Sequence, residues 1–341
     1  MANVYVYSGA AGAADGSDWA NAYLTLSAAL TAKAAGDDFW VAHNHAESTA
    51  GAVTLTSPGT LANPCKIHCV NSAGSVPPVA ADLATTGVVT TTGANGITFA
   101  GFAYCYGLNF NCGTGAGGAS ISVGGGSATG WVHHACHLNI VNTGAGVGLL
   151  TGGTGGAAYQ CTLRDTIVKF AAVGQIIGAS TGRFTWRGGS VDAAGSAPTT
   201  LFSTGNTRPT GDQLIEGVDL SHLGSGKTIM GAIGLASKYT FKDCKLGASV
   251  TKAAAQTAAG ARIEFLRCDS ADTNYVQEAH DAYGVQSVET TIVRTGGASD
   301  GTTTIAQKIV TTANAKWVTP FRSIPVTFWN ETVGSAITVT L

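Results

Sequence analysis

The chain predicts an all-β solenoid in which one short coil of strands stacks on the next, and three observations lead there. The first is a repeat. Seven segments share an apolar residue, two corner residues, a small or Cys-like residue and then a polar–apolar pair: Phe102–Cys105, His133–Leu138, Cys161–Thr166, Trp186–Val191, Ile215–Leu220, Phe241–Leu246 and Phe265–Ser270. Their fourth positions fall at 105, 136, 164, 189, 218, 244 and 268. A period of that size marks units that cannot bury their own apolar face and must stack. The second is composition: Gly is 47 of 341 residues and charged residues are only 11 %, against about 25 % in ordinary domains. Such a chain turns often and carries few surface charges. The third is the alternation beside each corner: with Lys242 and Asp243 turning the chain, Phe241, Cys244 and Leu246 point inward and Lys245 outward.

Residues 1–60 read as an N-terminal cap and first coil. Val4–Tyr7 is a strand, Ala20–Ala35 a helix with Leu26, Ala29, Leu30 and Ala34 on one side, Gly36–Asp38 its stop, and Phe39–Ala42 the next strand. Capping is physically required, since the open end of stacked strands exposes apolar rungs and unpaired backbone. Residues 61–283 hold the coils. Two-residue corners are expected at Arg187–Gly188, Glu216–Gly217, Lys242–Asp243 and Leu266–Arg267, and wider loops at Gly115–Gly118, Gly124–Gly126 and Gly152–Gly156. Residues 284–341 lose the coil motif. Val288–Arg294, Thr302–Val310, Pro325–Trp329 and Ala336–Leu341 alternate as β-strands between turns at Gly296–Gly297, Asp300–Gly301 and Asn330–Gly334, which predicts a small antiparallel β-sandwich.

The coil period, the short corner, the stacked Cys and apolar positions and the opening Ser17–Tyr23, Leu26, Ala29–Leu30, Ala35–Ala42 resemble the right-handed parallel β-helix family, over roughly residues 1–270. The resemblance implies a right-handed parallel β-helix with an N-terminal capping helix and a jelly-roll-like C-terminal sandwich. It says little about function, because the fold hosts lyases, hydrolases and inert viral parts. The segment from Thr311 through Trp317 and Trp329 to Thr340 is similar to the C-terminal β domain of some phage virion proteins.

Composition excludes several functions. The net charge of −2 offers no basic patch for nucleic acid, and no apolar run is long enough to span a membrane. The amino terminus lacks a basic and an apolar signal region, so the eight cysteines are expected as reduced thiols. Cys105, Cys136, Gly189, Val218, Cys244 and Cys268 are expected as a structural stack, since free Cys is among the most buried residue types.

Chemistry has two sequence-level candidates. His133–His137 holds metal-like residues: His133 and Cys136 point inward, and Cys161 on the next coil is the evident further ligand, with stacked interior residues as the competing reading. Cys65–Cys69 alternates in the same way, His68 facing opposite to the cysteines, and His43 with His45 reads as a surface pair. For glycan cleavage, the position after the stacked residue supplies Asp165 and Asp219, two coils and roughly 10 Å apart, near the spacing of an inverting carboxylate pair. Trp131, Tyr159 and Trp186 are the aromatic platforms at hand. The competing reading is an ordinary solvated charge ladder through Lys245 and Asp269. No cofactor is implied.

The expected function is that of a phage virion structural protein: a capsid decoration (cement) protein, located in the virion, packing as a homotrimer against the major capsid protein or other virion proteins. The trimer rests on the resemblance alone. The alternatives are a tailspike-like depolymerase and a non-catalytic glycan-binding fibre, both with bacterial surface polysaccharide as partner.

Overall fold

The computed structural model describes residues 2–124, 128–151, 159–179, 182–204, 213–233, 237–256, 260–272, 276–281, 284–295 and 302–311. The protein is a parallel β-helix. Each coil contributes strands to three columns. The first column runs through Asn3–Val6, Asp38–Ala42, Cys65–Val70, Phe102–Tyr106, Thr129–His134 and onward to Arg262–Ser270. The second runs through Ala46–Thr49, Val88–Thr91, Asn109–Cys112 and His137–Ile140. The third is a separate eight-stranded sheet from Val53–Thr56 to Thr251–Ala253.

The pairing is in register from coil to coil, so each position builds a ladder. Phe39, Ile67, Cys105, His133, Leu163, Trp186, Ile215, Phe241 and Phe265 form one inward column. All are buried, and Phe241 and Phe265 stack face to face at 4.7 Å. The outward column one residue later is Trp40, His68, Tyr106, His134, Arg164, Arg187, Glu216, Lys242 and Leu266.

The corner between the first two columns is a single left-handed residue. Gly107, Ala135, Asp165, Gly188, Gly217, Asp243 and Arg267 all have φ between 47° and 76°. Lys242, Arg187, Glu216 and Leu266, expected as the other half of each corner, still sit in their strands. One αL residue reverses the inward–outward alternation, so the residues on either side of Lys242–Asp243, Phe241 and Cys244, both point inward. Four of the seven corners carry a Cβ in this conformation, which disfavours non-glycine residues by roughly 1–2 kcal/mol.

Register corrects the alignment of two coils. The residue after the corner is Leu108, Cys136, Thr166, Gly189, Val218, Cys244 and Cys268 in turn. Cys105 therefore does not stack with Cys136; it pairs with His133, three residues earlier on its coil. Arg164 likewise faces outward, and Thr166 takes the fourth position.

At the N-terminal end the helix is shorter than expected, Leu26–Ala32, and buries Leu26, Ala29 and Leu30 beside strands Asn3–Val6 and Val53–Thr56. Thr25 caps it through its hydroxyl. The Glu47 carboxylate also accepts the Leu26 N–H at 2.7 Å and meets His45 Nε2 at 3.2 Å, while His45 Nδ1 accepts the Ser8 N–H at 3.0 Å. His45 is thus a buried tie between helix and coil rather than a surface residue.

Parallel stacking ends at Arg262–Ser270. The next strand, Val276–Asp281, pairs with it antiparallel, and Gly284–Thr295 and Thr302–Thr311 continue antiparallel in the same sheet. Residues 312–341, which carry the remaining strands expected of the sandwich, lie outside the described residues, as do Gly125–Gly126, Gly152–Gly156 and the turn at Asp300–Gly301. No helix among the described residues is long and apolar enough to cross a membrane.

Candidate functional site

The first column presents its outward residues as a half-buried aromatic strip. Trp40 meets His68 edge-on at 5.2 Å, His68 meets Tyr104 at 5.8 Å, and Tyr106 meets His134 at 5.2 Å. The cause is the in-register ladder, which sets side chains of successive coils about 4.8 Å apart. Burial pushes the His68 imidazole below its ordinary pKa, so His68 is neutral near pH 7.

Within the strip three groups form a chain. The Tyr104 hydroxyl lies 2.6 Å from His134 Nδ1, and His134 Nε2 lies 3.5 Å from the Asp165 carboxylate. Strands Phe102–Tyr106 and Thr129–His134 supply the first two, and the left-handed corner at Asp165 turns its carboxylate toward the ring. With the Nε2 proton facing Asp165, Nδ1 is the acceptor for the phenol. Burial raises the Tyr104 pKa, partly offset by the Arg164 guanidinium. Arg164 is exposed and has no ion-pair partner among the described residues, whereas Arg187 is held by Glu216. A phenol, a base and an orienting carboxylate in sequence is the arrangement that moves a proton at a reacting atom.

The sequence-level carboxylate pair is not assembled. Asp165 occupies the corner, in the column of Gly188 and Gly217, while Asp219 lies two residues farther round its coil, paired with Ser190 and Lys245. Asp219 is also occupied, accepting from the Ser221 hydroxyl at 2.5 Å and its N–H at 2.9 Å, with Lys245 Nζ at 3.4 Å. Trp131, Tyr159 and Trp186 are buried and cannot serve as platforms. The residues that do face out, Trp40, Tyr104 and Tyr106, escape sequence reading because their neighbours lie a whole coil away.

The interior holds a second cluster. Cys105, His133 and Cys136 are buried, and their ligating atoms lie within 4.8 Å of one another, the two sulfurs at 4.0 Å. Cys161, expected as the third member, pairs instead with Trp131 and stands apart, its thiol pushed up to about 12 by burial. Burial pushes the Cys136 thiol up, but the adjoining Cys105 and His133 more than offset this and bring it well below the usual thiol value. Cys105, buried beside it, is held well above.

No protein-family model matches the chain, and no curated protein does. Among solved structures the chain is similar to the crystal structure of alginate lyase from Paenibacillus sp. str. FPU-7, at 16 % identity and a TM-score of 0.35, over 70 % of this chain and 92 % of that one.

Proposed function

We propose that the strip around Tyr104, His134 and Asp165 binds a carbohydrate polymer carrying carboxylates and cleaves it by elimination. The observation that carries this reading is the Tyr104–His134 hydrogen bond with the Asp165 carboxylate 3.5 Å beyond it, set among aromatic faces, with Arg164, which has no ion-pair partner among the described residues, beside it. Arg164 would hold the sugar carboxylate and make the neighbouring C–H acidic. The Tyr104 oxygen takes that proton as its own passes to His134 Nδ1; the bond to the leaving oxygen breaks, a C=C bond forms, and the leaving oxygen is protonated by the same pair. Trp40, His68 and Tyr106 would bind flanking sugar rings.

The test is incubation of the full chain with acidic and neutral polysaccharides, following unsaturated ends by ultraviolet absorbance and all new ends by reducing-sugar assay. Unsaturated ends from an acidic polymer, lost in Tyr104→Phe and in His134→Ala, support the reading. Reducing ends without unsaturation would indicate hydrolysis. No cleavage and no binding across the panel would overturn the proposal.

A separate observation favours a second reading, the packing role of a virion protein. The segment 71–87, between the first two columns of one coil, carries Val76 (66 % exposed), Val79 (51 %) and Leu83 (37 %) around a 3₁₀ turn at Ala80–Asp82. The Asp82 carboxylate fixes the segment by accepting the Ser75 and Val79 N–H groups. Apolar side chains held out on an ordered segment suit a partner protein, a capsid subunit or another copy of this chain. Light scattering that finds a stable monomer at micromolar concentration would remove the trimer from this reading.

A further inference from the structure

We infer that Cys105, His133 and Cys136 form a buried binding site for a thiophilic d10 metal ion, Zn(II) or Cu(I). Two thiolates, each about 2.3 Å from one ion, stand about 3.8 Å apart across a tetrahedral angle and about 4.0 Å across a trigonal one; the sulfurs here are 4.0 Å apart. The independent observation is His133. Its ring is wholly buried beside the Cys136 thiol, and neither ring nitrogen has a geometrically formed hydrogen bond among the described residues. Phe99, Phe110 and Trp131 surround it, with ring centroids at 4.6, 5.9 and 5.7 Å. Those faces offer nothing to the imidazole nitrogens, and a buried polar group left without a partner is unfavourable. A metal bond to one nitrogen removes one of those deficits.

The donors also suit the ion. Two thiolates and a neutral imidazole balance Zn(II) to zero net charge, which a dry interior requires. Both thiols give up their protons as Zn(II) enters. With Cu(I), for which thiolate and imidazole are also good ligands, one thiol keeps its proton and the net charge is again zero. The site is assembled by stacking: Cys105 comes from one coil, His133 and Cys136 from the next, the last two brought inward together by the left-handed Ala135 between them. The ion would thus be a rivet between coils, unconnected to the outer strip.

The experiment is expression of the full chain in medium supplemented with zinc or with copper, passage over a chelating column, and metal analysis with native mass spectrometry. One ion per folded chain is expected, retained in Cys161→Ser and lost in Cys105→Ala and in His133→Phe. Because either loss variant may misfold, the wild-type chain is also refolded with zinc, with Cu(I) under anaerobic conditions, and with chelator. Native mass then reports whether one ion enters, and Co(II) substitution reports thiolate-to-metal absorption. Retention of zinc or of copper identifies which ion the site takes. A folded wild-type chain that keeps neither ion, or a folded Cys105→Ala chain that still keeps one, would overturn the inference.

Discussion

The single-residue corner makes a quantitative prediction at two positions, Ala135 and Gly217, with Gly189, the residue just after a corner, as the contrast. Ala135 has φ 51°, so Ala135→Gly removes a backbone penalty of roughly 1–2 kcal/mol. It also adds unfolded-state entropy worth about 0.4–1 kcal/mol in the opposite sense. The net is a gain of about 0.5–1 kcal/mol. Gly217→Ala is the converse. A Cβ there would meet nothing nearer than the Gly188 nitrogen at 4.0 Å, so the cost is conformational alone, about 0.5–1 kcal/mol. Gly189→Ala differs in kind. A Cβ there would lie 2.1 Å from the Thr166 carbonyl oxygen and 2.6 Å from its nitrogen, both backbone atoms of the adjacent coil. The coils would have to part, adding an overpacking cost of about 1–3 kcal/mol to the conformational one. The assay is urea denaturation followed by fluorescence of the buried Trp131 and Trp186, comparing midpoints at unchanged slope. The expected order is Ala135→Gly above wild type, Gly217→Ala slightly below, and Gly189→Ala far below. A destabilised Ala135→Gly, or equal losses at Gly217 and Gly189, would refute the corner geometry.

Other outcomes follow from the same structure. Glu47→Ala removes an acceptor from Leu26 N–H and leaves His45 Nε2 buried without its partner; a loss of about 2–4 kcal/mol in thermal or urea unfolding is expected. If the strip is catalytic, His134→Ala lowers turnover about 10²–10⁴-fold without moving the melting temperature by more than a few degrees. All eight cysteines are buried and unpaired, so a thiol reagent at pH 8 should label none in the folded chain within minutes and all eight in denaturant. Burial also keeps Cys112 protonated at that pH, its pKa pushed up to about 11. The Glu216 pKa is lowered by the hydrogen bond from Lys242. Glu278 is raised by burial but lowered further by His280 and Lys252, and Asp219 is raised by burial but lowered further by Ser221 and Lys245. Their folded pKa values lie below the unfolded ones, so this stability is complete above about pH 5 and is lost as pH falls through the folded values. A urea midpoint that stays flat from pH 6 to pH 3 would contradict it.

The repeat was legible because stacking imposes a local signature: Phe241, Cys244 and Leu246 follow one another within a single coil, and so do Ile215, Val218 and Leu220. Errors arose where two residue types could fill the same role. Cys105 imitates the stacked cysteine of later coils, while the true fourth position, Leu108, lies beyond Gly107. The same kind of shift at Arg164, where Thr166 is the true fourth position, moved Asp165 into a column with Asp219 that it does not share. The outer strip was illegible for a different reason. Tyr104 and His134 are 30 residues apart, and their contact depends on register, which no local pattern encodes. The same holds for Cys105 beside Cys136: the sequence shows two inward residues on one coil, but only pairing with the preceding coil supplies the third.

The reversal of strand direction at Val276–Asp281 has a consequence for assembly. A parallel coil is a template for another like it, and the exposed end of such a stack would accept the first coil of a second molecule, building a fibre without limit. An antiparallel strand laid across that end breaks the translational repeat. Its shifted register at Phe265–Cys268 no longer matches the strand Asn3–Val6 that would open the next molecule. Along this edge of the first column the next parallel coil is therefore not templated, and the obstacle is geometric rather than electrostatic.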